Sequence, residues 1–345
     1  MPGTRKWIIV SSMRYIKNPP NPYLKYSDEF LGEPPNVKLE IFEETATKKI
    51  ITKNDSPDVG FEFSVNCYRG CIHGCTYCFA RPYHEYLGYG AGTDFETKIV
   101  AKVNAPRLLR EELSRKRKKI EALSFSFTTD PYLPIEANYE LTRQCLEVCR
   151  EFHVSVGIIT KSPLITRDID VISKMRARVY FSIPFLTTAK SKPFEPYVPV
   201  PDARFRAMKT LAENGIDVGL SISPIIPAYN ESDIPALLEK AKENGATRAF
   251  MSMLRLPTES LRNYFVSRLA EKLPTKKDKI IHQIQRERGG KLYRSGFGER
   301  MRGTTEQWQM AKKLFEMHYR RLGFLSHEKP KIEEKSLPVQ RGLFD

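Results

Sequence analysis

From Phe61 onward two textures alternate along the chain. Short runs in which apolar residues recur at every second position, or form a brief block, predict six β-strands: FEFSVN (61–66), ALSFSF (122–127), VSVGIIT (154–160), RVYFSI (178–183), DVGLSIS (217–223) and RAFMSML (248–254). Between them, apolar residues spaced three and four apart predict helices from Pro106 (PRLLREELSRK), Tyr139 (YELTRQCLEVCREF), Ile165 (ITRDIDVISKM), Asp202 (DARFRAMKTLAENG) and Asp233 (DIPALLEKAKENG). Pro106 suits a first helical turn, and Gly215 and Gly245 stand where a helix C-terminus favours glycine. Strands separated by helices, with no hairpin between them, imply parallel βα units with right-handed crossovers. No Gly-rich dinucleotide turn follows any strand. The expected class is therefore α/β, a partial (β/α)6 barrel rather than a doubly wound sheet. Chemistry in such barrels gathers at the C-terminal strand ends, here Thr128 to Asp130, Lys161, Ser182 and Arg255.

The flanks read differently. Residues 1–60 are rich in Pro, Lys and Asn and are expected to wrap around a barrel at 61–273 without a core of their own. Residues 274–345 are basic and irregular (GGKLYRSGFGERMRG) apart from a last helix from Thr305 to about Arg321, expected to pack on the barrel. With 56 Lys and Arg against 41 Asp and Glu among 345 residues, the formal charge of +15 favours polyanionic partners, nucleic acid among them. No run approaches the ~20 apolar residues that span a bilayer. The apolar stretch Trp7 to Val10 is too short for a signal-peptide core, so a cytoplasmic protein without a membrane partner is expected.

Four of the six cysteines lie between 67 and 78, in CYRGCIHGCTYCFARP. That crowding suits metal binding in a reducing compartment better than a disulfide framework. Cys71, Cys75 and Cys78 follow the first strand in the spacing CxxxCxxC. A loop so spaced can curl round a [4Fe-4S] cubane, give one thiolate to each of three irons, and leave the fourth iron for S-adenosylmethionine (SAM) to chelate. Reduction there breaks a carbon–sulfur bond and yields a 5′-deoxyadenosyl radical. The competing reading takes Cys67 as a fourth ligand, closing a zinc or iron–sulfur site that staples a non-catalytic nucleic-acid-binding protein.

The CxxxCxxC loop, Tyr77 before the third cysteine and six βα units together resemble the radical SAM superfamily, whose fold is a partial TIM-like barrel. The stretches SPDVGFEFSVN, YRGCIHGCTYCFARPYHEYLG, GTDFETKI, TTDPYLPIEANYELTR, TKSPLITRDID, FEPYVPVPDARF, SPIIP and LRLP, from Ser56 to Pro257, resemble DNA repair photolyase-like proteins, relatives of spore photoproduct lyase. The resemblance implies an enzyme of lyase or transferase type, SAM and the cluster as cofactors, and a reducing partner such as flavodoxin or ferredoxin. It also implies Cys71, Cys75 and Cys78 as cluster ligands and Tyr77, Thr129, Asp130, Lys161 and Ser182 as SAM contacts. Where the lyase carries the cysteine that returns hydrogen to thymine, this chain has Phe127 beside Thr128. The same repair reaction is therefore not expected, and the substrate stays open, a nucleobase being one reading.

No catalytic residue stands out. Arg81, His84 and Glu136 are the candidates, and Glu195 is a further candidate cofactor contact from a family-like motif. Each has a structural alternative: Arg81, His84 and Glu85 can pin the cysteine loop, and Glu195 can pair with Arg204. His73 is expected to donate a hydrogen bond rather than bind iron. Cys145 and Cys149, four apart on one helix, read as core residues. The basic run Arg115 to Lys119 reads as a solvated helix end, and GYGAG (88–92) as a connection.

Overall fold

The computed structural model describes residues 38–115, 120–125 and 127–325. Most of the expected wrapping extension (1–37), the end of the basic run (116–119), Ser126 and the last residues (326–345) lie outside the described residues.

The main sheet has seven strands: β2 (Ile51–Lys53), β3 (Phe63–Val65), β6 (Ala122–Phe125), β7 (Ser155–Thr160), β8 (Ala177–Ser182), β9 (Asp217–Ile225) and β10 (Arg248–Met253). Their spatial order is β10-β9-β8-β7-β6-β3-β2. The six strands from β3 to β10 are all parallel to their neighbours, and β2 runs antiparallel on the edge. These six are the strands that the alternation predicts. A second sheet, order β1-β5-β4, is built from β1 (Glu40–Glu44), β4 (Tyr68–Arg69) and β5 (Lys98–Lys102). It brackets the cysteine segment and was not expected.

Helices α1 (Ala105–Arg115), α2 (Leu141–Glu151), α3 (Pro201–Glu213) and α4 (Ile234–Glu243) cover the outer face. Gly215 and Gly245 take left-handed backbone after α3 and α4, as the C-terminal reading requires. Two helical predictions shift. The run from Tyr139 breaks at Glu140, whose backbone is left-handed, so a short helix Glu136–Tyr139 precedes α2. The run from Ile165 begins earlier, as a 3₁₀ turn Pro163–Asp168 capped by the Ser162 hydroxyl, which accepts from the Leu164 amide. Beyond the sheet, α5 (Glu259–Lys272), α6 (Lys277–Glu287) and α7 (Glu306–Arg321) follow, and Trp308 and Ala311 of α7 join the main core. No helix among the described residues is long and apolar enough to cross a membrane.

The pairing registers explain why the barrel is hollow. One row across the sheet, Val65, Phe125, Ile158, Val179 and Val218, is fully buried against the helices. The adjacent row, pointing to the other face, reads Ser64, Ser124, Gly157, Arg178 and Asp217. Successive side chains of a strand alternate faces, so one short apolar–polar alternation in each strand builds both an apolar shell and a small, polar interior. The interior borders a cavity of about 2900 Å³ that reaches the C-terminal strand ends.

Gly219 of β9 sits under the ring of its cross-strand neighbour Tyr180, and a Cβ there would lie 2.5 Å from that ring and 2.9 Å from the Arg248 carbonyl. Because backbone limits relaxation, Gly219→Ala is expected to lower stability by about 1–3 kcal/mol, read as a reduced urea midpoint. An unchanged midpoint would mean that Tyr180 moves freely off the strand.

Candidate active site

The cysteine loop follows β4 and is fixed along its length. The Cys71 amide donates to the Phe95 carbonyl at 2.8 Å, and the Thr76 amide to the Phe194 carbonyl at 2.9 Å. Tight turns within it place the Gly74 amide on the Cys71 carbonyl and the Cys78 amide on the Cys75 carbonyl. Gly74 has φ +65°, and a Cβ there would lie 2.8 Å from the Tyr197 ring, so the turn requires glycine. Cys71, Cys75 and Cys78 all line the cavity. Burial pushes the Cys71 thiol up to about 12 and raises Cys75 and Cys78 as well, so thiols placed like these ionise only against a cation. Cys67 takes no part in this group: its thiol lies 3.6 Å from that of Cys145, under the sheet.

Opposite the loop, the C-terminal ends of β6, β7 and β8 supply a polar wall. Asp130 binds the Tyr132 amide (2.9 Å), the Thr160 hydroxyl (2.7 Å) and the Lys161 amide (2.7 Å), tying the end of β6 to that of β7. His73 of the loop places Nδ1 3.5 Å from the same carboxylate, and burial holds its imidazole below the ordinary range. Thr129 donates to the Gly70 carbonyl at 2.6 Å, joining this wall to the loop. The Lys161 ammonium donates to the Ser182 hydroxyl at 2.6 Å and stands 5.8 Å from the centre of the Tyr77 ring. Tyr77, Thr129, Asp130, Lys161 and Ser182 all border the cavity with the three thiols.

The radical SAM superfamily profile matches residues 65–241, the segment that holds the cysteine loop and this wall. The chain belongs to the radical SAM superfamily. It is 30% identical over 311 residues, 88% of each chain, to the uncharacterized protein Rv2578c of Mycobacterium tuberculosis. It is 35% identical over 193 residues to the uncharacterized protein MJ0683 of Methanocaldococcus jannaschii, covering 56% of this chain and 70% of that one. Among solved structures it is similar in fold to spore photoproduct lyase complexed with dinucleoside spore photoproduct, with a TM-score of 0.61, 16% identity, and coverage of 82% of this chain and 79% of that one. A mutant of that lyase with bound AdoMet and dinucleoside spore photoproduct gives a TM-score of 0.59 at 17% identity over 85% of each chain.

Membership in the radical SAM superfamily implies a [4Fe-4S] cluster and SAM, and the donors present fit both. Three thiols from one loop face one cavity. Among the described residues no three His, Cys, Asp or Glu side chains converge tightly enough for a single metal ion, whereas thiolates on separate corners of a cubane stand wider apart. An ammonium and hydroxyls lie across the cavity, the types that bind a carboxylate and a ribose.

Not every residue singled out from the sequence touches this cavity. Arg81 is fully buried and absent from its lining. Its Nε donates to the Cys75 carbonyl, Nη1 to those of Ala91 and Gly92, and Nη2 to the Gly74 carbonyl and the Glu96 carboxylate. With every N–H so engaged, Arg81 makes the contacts of its structural alternative, pinning the loop from outside the cavity. Glu136 likewise lies outside the cavity lining. Its carboxylate accepts from the Thr142 and Arg143 amides at the start of α2, from Arg167 and from Tyr68, on the helix side of the sheet. Glu195 stands behind the wall rather than in it, binding Arg204 at 2.6 Å and the Tyr77 hydroxyl, with Lys161 3.8 Å away. Burial would raise this carboxyl, but Arg204 and Lys161 outweigh it and hold it below the carboxylate range. The alternative pairing of Glu195 with Arg204 is the one present.

Aromatic and basic residues complete the lining. The Phe61 and Phe127 rings lie 3.8 Å apart between centroids, and Arg255 lies over Phe79. The basic tail closes one side: Arg300 pairs with Asp58 and lies over Phe297.

His84 does border the cavity, packed against Tyr89 and edge-on to Phe95, and its Nε2 has no partner among the described residues. Burial lowers its pKa to about 4. An unfolded chain takes up this proton near pH 6.5 and the folded one only near 4, so stability falls as pH drops through that window. The slope due to this residue reaches about 1.4 kcal/mol per pH unit. His84→Phe is expected to remove that part of the slope in urea titrations between pH 4 and 6.5; an unaltered slope would show that His84 is protonated when folded.

Proposed function

We propose that the protein cleaves SAM reductively at a [4Fe-4S] cluster held by Cys71, Cys75 and Cys78, and uses the product to take hydrogen from a substrate that carries a nucleobase. When bound, the cluster and SAM supply an electron-driven carbon–sulfur cleavage to methionine and a 5′-deoxyadenosyl radical, the electron coming from a donor such as flavodoxin or ferredoxin. The observation that carries this reading is the arrangement of four cysteines: three line the cavity while Cys67 turns away to Cys145. That arrangement disfavours the alternative of a closed four-thiolate site in a non-catalytic binding protein.

The chain's own residues divide the work. Lys161, held on Ser182, is placed to pair with the methionine carboxylate, and Ser182 and Thr129 offer hydroxyls to SAM. Asp130 orients the strand ends and accepts from a ribose hydroxyl. Tyr77, fixed through its hydroxyl to Glu195, presents its ring edge or face to the adenine. Glu195 itself acts through Tyr77 and Lys161, as a positioning residue.

Two features support a nucleobase. The Phe61–Phe127 pair gives a planar ring an apolar surface to stack on, and the wall is rich in arginine, in a chain of charge +15. Spore photoproduct lyase, similar in fold, was solved in complex with dinucleoside spore photoproduct. Thiol return of hydrogen from position 127 is excluded, because the residue there is Phe127. Among the described residues, Cys71, Cys75 and Cys78 are the only cysteines in the cavity lining.

Anaerobic reconstitution tests the reading. Cys67→Ser is expected to retain the cluster, while Ser at position 71, 75 or 78 loses it, and the native protein with dithionite and SAM forms 5′-deoxyadenosine. Zinc in place of iron, or cluster loss in Cys67→Ser, would favour the closed site. Lys161→Ala is expected to bind SAM about tenfold to a hundredfold more weakly at unchanged iron content, by equilibrium dialysis. Unchanged affinity would remove Lys161 from the SAM site.

A further inference from the structure

Arg255 follows the last strand of the barrel and lines the cavity, its guanidinium 4.9 Å from the centre of the Phe79 ring, one residue past the third loop cysteine. Its Nε is buried and has no hydrogen-bond partner among the described residues. Arg288, 1% exposed, lies near enough for the two charges to repel each other. One of its nitrogens, Nη2, donates to the carbonyls of Leu254 (2.7 Å) and Arg300 (3.0 Å), but Nε and Nη1 are also without partners. Burial pulls the Arg288 guanidinium below its ordinary range and, against Tyr293 and Glu287, the charges of Arg255 and Arg294 add to that pull.

The nearby carboxylates Asp58 and Glu287 act on this pair through space, but their hydrogen bonds go to other groups. Asp58 is held by Arg300 and by the Gly298 amide at 2.7 Å. Glu287 accepts from the Thr305 amide (3.1 Å), the Thr305 hydroxyl and Gln283 (3.3 Å). Two mutually repelling cations with buried N–H groups unused carry a cost that an anion accepting from those groups lowers. A guanidinium fork matches phosphate oxygens in geometry, and the neighbouring wall residues Arg300 and Arg302 add to the field.

We infer that Arg255, backed by Arg288, is an oxyanion site at the cavity mouth that receives a phosphate group of the substrate. The site rests on the reading of this cavity as the substrate chamber. It makes the substrate a phosphorylated one, held by its phosphate above the loop thiols while the ring to be attacked stacks further in.

The test uses the reconstituted full-length protein, titrated calorimetrically with inorganic phosphate and, separately, with acetate, and melted with and without phosphate. Phosphate is expected to bind saturably and raise the Tm. Arg255→Met should bind it about tenfold to a hundredfold more weakly. In phosphate-free buffer Arg255→Met should melt at or above the native protein, because one of two mutually repelling charges is gone. Arg255→Lys, which keeps the charge but not the fork, should bind phosphate with intermediate affinity. Acetate binding as tight as phosphate would overturn the assignment to phosphate. A parallel loss of SAM affinity would move the guanidinium to the SAM carboxylate and overturn it too. A lower melting point with undiminished phosphate binding would make Arg255 structural. Formation of 5′-deoxyadenosine by the native protein is read alongside: product without phosphate binding sinks this site alone, and no product sinks the broader reading.

Discussion

The position of the three thiols depends on a guanidinium that touches neither the cavity nor the solvent. Arg81 gathers the carbonyls of Gly74, Cys75, Ala91 and Gly92 around one planar cation, and its charge is balanced by Glu96. Glu96 also accepts from Tyr264 of α5 at 2.8 Å, and the Tyr264 ring lies under the guanidinium at 4.2 Å. Loop, following segment and C-terminal helices thus meet at a single ion pair. Removing one member of a fully buried pair costs about 3–5 kcal/mol, because the other is left uncompensated. Loop order is therefore coupled to the docking of α5, far along the chain.

A second buried pair does for the polar wall what the first does for the loop. Arg204 binds Glu195 and also donates to the carbonyls of Pro199 (2.8 Å) and Ser182 (2.7 Å). Glu195 in turn holds Tyr77 of the loop and faces Lys161 at the end of β7. One carboxylate thereby relates a loop residue, two strand ends and the start of α3. The positioning charges lie one layer behind the groups that face the cavity.

The six parallel strands were legible because burial on one face and a polar chamber on the other imposes alternation on each, as in VGIIT and VGLSIS. The cysteine loop was legible because ligand spacing is local. What escaped was non-local. Strands β4 and β5 are short and pair only because the cysteine segment folds back between them, so KIVAK carries no distinctive signal. Arg81 and Glu136 looked like active-site residues because charge in a motif-rich segment reads the same whether it meets substrate or backbone carbonyls. Only the partners decide, and these come from Ala91, Gly92 and Glu96 in one case and from Thr142 and Arg143 in the other. The tail was opaque for a related reason: Arg300 reaches the wall through Asp58, 242 positions away.

The buried arginines of this protein allow a comparison within one molecule. Arg81 and Arg204 each have a carboxylate and a set of carbonyls, and each fixes a wall of the cavity from behind. Arg255 and Arg288 have carbonyls, an aromatic face or each other, but Nε of the first and Nε and Nη1 of the second stay unmatched. Asp58 and Glu287 act on Arg255 and Arg288 through space, while their hydrogen bonds go to other groups. The proposed phosphate, at the end of the last strand, would give the unmatched N–H groups the acceptor that these two carboxylates do not. Substrate binding would then complete the electrostatics of the barrel mouth, linking occupancy of the chamber to the stability of the tail that walls it.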